Sequence, residues 1–235
     1  RALRAAARAR PRAGALAFGD ACPRDPSPSP SASGRPGEGW NVVAVGASTG
    51  GTEALHAVLG ALPADGPCIL VAQHMPPGFT QAFARSLDAC GALEVREAAG
   101  GEEVRPGLAL VAPGDGHLRV ERVRGRLVTR VERGGRIEGV RPSVDALFRS
   151  VAAAAGAEAV GVLLTGMGAD GAEGLLEMRR AGAHTVAQDE ATSVVWGMPG
   201  AAAARGAAAE VLPLDRIPAA LLRAARRRPA AVGAR

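Results

Sequence analysis

The chain has no lysine and no tyrosine, and aromatic residues make up only 3% of it. Each absence closes off a chemistry. Without lysine there is no Walker phosphate loop. Without tyrosine and lysine there is no Tyr/Lys pair of the kind used by short-chain reductases. With so few aromatic rings, nucleic-acid binding by base stacking has no platform, and aliphatic side chains must carry the core. Cysteine is also scarce. Cys22, Cys68 and Cys90 form no CxxC, so the sequence supports neither a zinc site nor a redox motif. No metal or organic cofactor is expected, and the thiols read as reduced groups of a cytoplasmic protein. No apolar run approaches the roughly 20 residues of a membrane span, so no membrane insertion is expected.

What is abundant is arginine, and its distribution matters more than its number. The ends, residues 1–39 and 216–235, hold 13 Arg and 3 acids, whereas residues 40–215 hold 15 Arg and 20 acids. The basicity sits outside the part expected to fold, so a nucleic-acid partner is not implied. Residues 1–39 read as a basic arm and a Pro/Ser/Gly-rich linker, "GDACPRDPSPSPSASGRPGEG", which cannot bury enough surface to order itself. The absence of an initiator Met leads to the expectation that the chain is cut from a longer one. A folded domain is expected over 40–227, followed by a basic tail, 228–235.

Within 40–227, apolar runs alternate with amphipathic ones. "NVVAVG", "CILVAQ" and "AVGVLLTG" are buried strands by composition and length. Segments 50–61, 78–90, 141–156, 170–181 and 215–227 read as helices. Phe79, Phe83 and Leu87 are placed on one helix face, and Ser143 is placed as an N-cap. Further strands are expected at 93–98, 107–113, 184–188 and 210–214, and a short helix near 199–205. "HLRVERVRGRLVTRVER" alternates at period two across Arg124-Gly125, an exposed β-hairpin with a solvated arginine face. The fold class is α/β: a doubly wound, mostly parallel sheet with helices on both faces and this hairpin added. In such sheets ligands sit at the carboxyl ends of the strands.

Three of those strand ends carry the residue types of a nucleophile, a general base and an orienting carboxylate: Ser48 in "GASTGG", His74 in "QHMPPG" and Asp170 in "TGMGADG". Gly46 and Gly50 flank Ser48 in the spacing of a nucleophile turn. Asp170 lies at a helix start, where the dipole favours its ionised form. A dinucleotide loop is the rival reading of the first turn. It fails because the second strand ends in Gln73-His74, with no acid for the ribose. His56 and His184 read as structural, and His117, after "APGDG", is a candidate lining of the cleft.

"GASTGGTEAL", "QHMPPGFTQAFA", "APGDGHL", "RPSVDALF", "LTGMGADGAEG" and "WGMPGAA" follow one another as the blocks of CheB-type chemotaxis protein-glutamate methylesterases do. Over about residues 41–222 the chain resembles that family. The resemblance implies a serine hydrolase that demethylates glutamate methyl esters on chemoreceptor helices, releasing methanol, and that also deamidates receptor glutamines. It implies a triad of Ser48, His74 and Asp170, with Thr49 and Met167 supporting the cleft and the oxyanion. Typical members carry an N-terminal receiver domain, through which a chemotaxis histidine kinase acts. Residues 1–39 lack its acidic cluster and lysine, and the linker reads as a former interdomain tether. The alternative is a non-catalytic module of the same fold that binds receptor or kinase.

Overall fold

The computed structural model describes residues 42–225. The arm, the linker and the basic tail lie outside the described residues. Seven strands form one parallel sheet: β1 (Val42–Ala47), β2 (Ile69–Gln73), β3 (Glu94–Glu97), β4 (Leu108–Val111), β7 (Ala159–Leu163), β8 (His184–Gln188) and β9 (Glu210–Leu212). Their order is β3-β4-β2-β1-β7-β8-β9. The hairpin is β5 (His117–Val123) and β6 (Arg126–Glu132). The helices are α1 (Gly51–Gly60), α2 (Thr80–Cys90), α3 (Val144–Ala155), α4 (Ala172–Arg180), α5 (Met198–Ala204) and α6 (Ile217–Ala225).

The expected doubly wound α/β architecture is what the chain adopts. Along β1, Val42 and Ala44 join one apolar cluster with Leu147, Phe148, Leu175 and Met198 of α3, α4 and α5. Val43 and Val45 join the opposite cluster with Leu55, Phe83 and Leu221 of α1, α2 and α6. Period-two alternation thus feeds two layers of helices, and the central strand is buried on both sides. From β1 the chain passes to β2, then to the edge strand β3, comes back to insert β4 between β3 and β2, and later places β7 on β1's other edge. The crevice between β1 and β7 is the switch point where such sheets bind ligands.

Two features differ from the sequence reading, and the first lies in the hairpin. Its turn is as expected, with Arg124 (φ 49°) and Gly125 (φ 83°) in the left-handed region that a two-residue turn requires. Its arginines, however, are not merely solvated. Arg119 pairs with Glu132, and Arg130 with Glu121, both at 2.6 Å. The hairpin also docks on α3, where the Ser150 hydroxyl accepts from the Val120 N–H at 3.0 Å. Phe79 is a second correction. It precedes α2 rather than belonging to its apolar face, and is 63% exposed.

Gly46 is not needed for a turn. It lies within β1, and a Cβ there would meet Val144 Cγ1 at 2.1 Å. A Cβ on Gly171 would meet the same Val144 atom at 2.6 Å. The two glycines form the seat for Val144, the first residue of α3, and so bring that helix end against β1. Gly46→Ala is expected to destabilise the protein by about 1–3 kcal/mol through overpacking. Urea unfolding of the two proteins would measure it.

Candidate active site

The structure brings His74 and Asp170 together. His74 directly follows β2, and its Nε2 lies 2.7 Å from Asp170 Oδ2. Ser48 directly follows β1. Its N–H donates to Thr165 O at 3.0 Å and its carbonyl accepts from Gly51 N–H at 2.8 Å, closing a tight turn. Gly50 makes that turn possible with φ 78°. Gly51 is tighter still: a Cβ there would lie 2.3 Å from Gln73 Oε1. Among the described residues the Ser48 hydroxyl makes no hydrogen bond. In ligand-free sites a nucleophile–base contact is often loose and closes with substrate.

Asp170 is held from several sides. Val144 N–H donates to Oδ2 at 2.7 Å, Asp145 N–H to Oδ1 at 3.0 Å, and the Ser143 hydroxyl to Oδ1 at 3.1 Å. The carboxylate therefore sits on the N-terminus of α3, not on the helix it immediately precedes. Burial pushes its pKa up. The hydrogen bonds from His74 and from the Val144 and Asp145 N–H groups outweigh burial and hold it below the ordinary aspartate value. Ser143 is the N-cap expected from the sequence, accepting from Ala146 N–H at 3.2 Å.

Asp145 answers from the other helix. Its Oδ1 accepts from Gly174 N–H in the first turn of α4 at 2.7 Å. Burial and the neighbouring Asp170 carboxylate raise its pKa, against that hydrogen bond. Two helix N-termini thus exchange carboxylates, and α3 and α4 are tied at the end that faces the site.

Sequence reasoning missed one supporting residue and misplaced another. Buried Gln73 donates both hydrogens of its amide, to Ser48 O at 2.9 Å and to His74 O at 3.1 Å. One side chain thereby ties the main chain of Ser48 to that of His74. Its place at the end of a buried strand was the available signal, since a polar group there needs partners. His117 is the second. It does not line the cleft: it is 2% exposed, beneath the start of α3. Its Nδ1 accepts from Ser143 N–H at 3.0 Å, and its Nε2 donates to Gly135 O at 2.9 Å. Both ring nitrogens are used, and the ring's orientation is fixed by these partners.

Thr49 is exposed at the turn, with its carbonyl accepting from the Thr165 hydroxyl at 2.9 Å. Met167 is 74% exposed. It follows Gly166, where a Cβ would lie 2.7 Å from Ser48 Cβ, so the backbone here runs beside Ser48. His56 and His184 are remote from this cluster. His56 bonds Ser86 across α1 and α2 at 3.1 Å, and His184 pairs with Glu210 at 2.8 Å. Among the described residues, no group of three His, Cys, Asp or Glu could hold a metal ion. No helix among them is long and apolar enough to cross a membrane.

Residues 43–221 match the model of the CheB methylesterase family. The chain belongs to the CheB methylesterase family. It is 58% identical over 201 residues to "protein-glutamate methylesterase/protein-glutamine glutaminase 1" of Anaeromyxobacter dehalogenans, covering 86% of this chain and 57% of that protein. It is 55% identical to "protein-glutamate methylesterase/protein-glutamine glutaminase 2" of Pseudomonas aeruginosa, covering 80% of this chain and 54% of that one. The chain therefore spans about half the length of these curated relatives. The crystal structure of the Thermotoga maritima CheB methylesterase catalytic domain superposes with a TM-score of 0.76 at 39% identity. It covers 78% of this chain and 98% of that one.

The lowered pKa of Asp170 has a consequence for stability. A carboxyl whose pKa is depressed on folding adds stability above its unfolded value, near 3.8, and that stability disappears as pH falls through the folded value. The wild type should therefore exceed Asp170→Asn in stability at pH 7, and the gap should narrow steadily below pH 3.8. Urea unfolding of both proteins across that range measures it.

Proposed function

We propose that residues 42–225 are the catalytic domain of a serine hydrolase that removes methyl groups from glutamate methyl esters of chemoreceptors. The observation that carries the reading is the 2.7 Å His74–Asp170 contact at the switch point where the Ser48 turn also ends. Because Nε2 faces the carboxylate, Nδ1 is the nitrogen left to act as base. Ser48 Oγ attacks the ester carbonyl as its proton passes to His74 Nδ1. Asp170 stabilises the imidazolium through the Nε2–H bond without taking the proton. Methanol departs with the proton from His74, leaving a glutamyl ester on Ser48. Water, deprotonated by the same nitrogen, then releases the free glutamate and the serine.

We assign the backbone N–H of Met167 to the oxyanion, and Thr49 to the support of the turn. Deamidation of receptor glutamines would follow the same steps with ammonia leaving, and the relatives' printed names support that extension. Cytoplasmic location, and regulation by a histidine kinase through a receiver domain, are carried over from the family resemblance alone. The binding-module alternative has no observation in its favour that the esterase reading lacks.

Ser48→Ala is expected to lower turnover by about a millionfold and Asp170→Asn by about 10⁴, as in other serine hydrolases. Methanol release from methylated receptor membranes measures both. A folded wild-type protein that releases none would favour the binding module, and near-normal release by Ser48→Ala would remove the nucleophile assignment.

A further inference from the structure

Beside His74 runs a groove of about 270 Å³, shaped by the loop after β2 and by the loop that leads from β6 into α3. Met75, Pro76, Pro77 and Val140 give it an apolar lining, and Arg136 and Arg141 are its charged groups. No carboxylate lines it. Glu138, in the same loop, exerts its charge on Asp145 and Arg149 instead.

The two guanidinium groups are held but not neutralised. Arg141 Nη1 donates to Gly134 O at 2.7 Å, and Arg136 Nη1 to Gly139 O at 3.1 Å. Among the described residues neither has an ion-pair partner, whereas Arg133 nearby is paired with Asp115. Arg141 Nε is buried and has no acceptor at all. A buried charged donor without a partner is costly, and this one belongs to a side chain that lines the groove beside His74. The loop is also stiff. Ile137 and Val140 exchange two backbone hydrogen bonds of 3.0 Å around a turn with Glu138 at φ 49° and Gly139 at φ 84°. Arginines fixed in this way are preorganised for a carboxylate.

General charge would not draw an acidic partner here. Residues 40–215 hold 20 acids against 15 Arg, so the attraction is confined to the groove. We propose that the groove is a carboxylate subsite. It takes an acidic side chain of the substrate polypeptide near the ester that meets Ser48, with its methylenes on the apolar lining and its carboxylate on Arg141 and Arg136. The proposal rests on the esterase reading and adds what selects the polypeptide.

The test uses two synthetic peptides with one γ-methyl glutamate each. In one, glutamates flank the ester within four residues on either side; in the other, alanines do. Methanol release gives kcat/KM for the wild type, Arg136→Gln and Arg141→Met. The wild type should prefer the acidic peptide by about tenfold or more, as for charge-assisted pairing. That preference should shrink with added salt and collapse toward equality in both variants. Hydrolysis of both peptides by the wild type with equal kcat/KM overturns the proposal, as does a preference that survives both substitutions. Tighter inhibition by the demethylated alanine peptide than by the acid-flanked ester also overturns it, because the arginines would then serve the product carboxylate. Peptide binding to Ser48→Ala separates the two readings. If that variant binds the acidic peptide selectively while the wild type hydrolyses neither, the subsite stands and the esterase reading fails.

Discussion

The ionised carboxylate of Asp170, laid across the N-terminus of α3, is the interaction on which the site depends. A charge this buried would ordinarily be driven to protonate. Two main-chain N–H groups, one hydroxyl and one imidazole hold it ionised instead. In that form it accepts the His74 Nε2–H in a charge-assisted bond that fixes the ring. The helix dipole adds to the effect, and it comes from a helix well separated in sequence from the aspartate it serves.

The close approach of α3 has a packing basis. Val144 fits where Gly46 and Gly171 leave room, so the helix start reaches β1 and β7 together. Asp145 then returns a carboxylate to α4. Ser143 caps α3 from its own flank, but the Val144 and Asp145 N–H groups rely on Asp170, and α4, with no side-chain cap of its own, relies on Asp145. The result couples the position of the orienting carboxylate to the packing of the whole α3–α4 layer. Beneath that layer His117 holds the Ser143 N–H, extending the same chain of bonds into the hairpin.

Much of this was legible in the sequence, for physical reasons. β-branched runs bounded by glycine mark β1, β2 and β7, and a polar residue just past each marks the ligand end of a parallel sheet. Ser48, His74 and Asp170 could be placed there because strand ends are local features. What was hidden depends on contacts between distant segments. Asp170 reads as capping its own helix, because sequence shows only the nearest N-terminus. Gly46 reads as part of a turn, because the side chain that excludes a Cβ belongs to Val144, far along the chain. His117 looks like a cleft residue, because nothing local reveals that both its nitrogens are spoken for. Phe79 fits a helical stripe by spacing but falls before the helix begins, where no neighbour covers it.

The orientation of the His74 ring has one further implication. With Nε2 committed to Asp170, the exchangeable position is Nδ1, which is bonded directly to Cγ and lies close to the residue's own backbone. The lever between main chain and proton is therefore short. In the mechanism proposed above, a small displacement of the strand end would carry over to Nδ1 almost undiminished, with little side-chain length to absorb it. Gln73, bonded to both Ser48 O and His74 O, spaces the two backbones and on that reading would set the Ser48–His74 distance without touching Oγ or Nδ1.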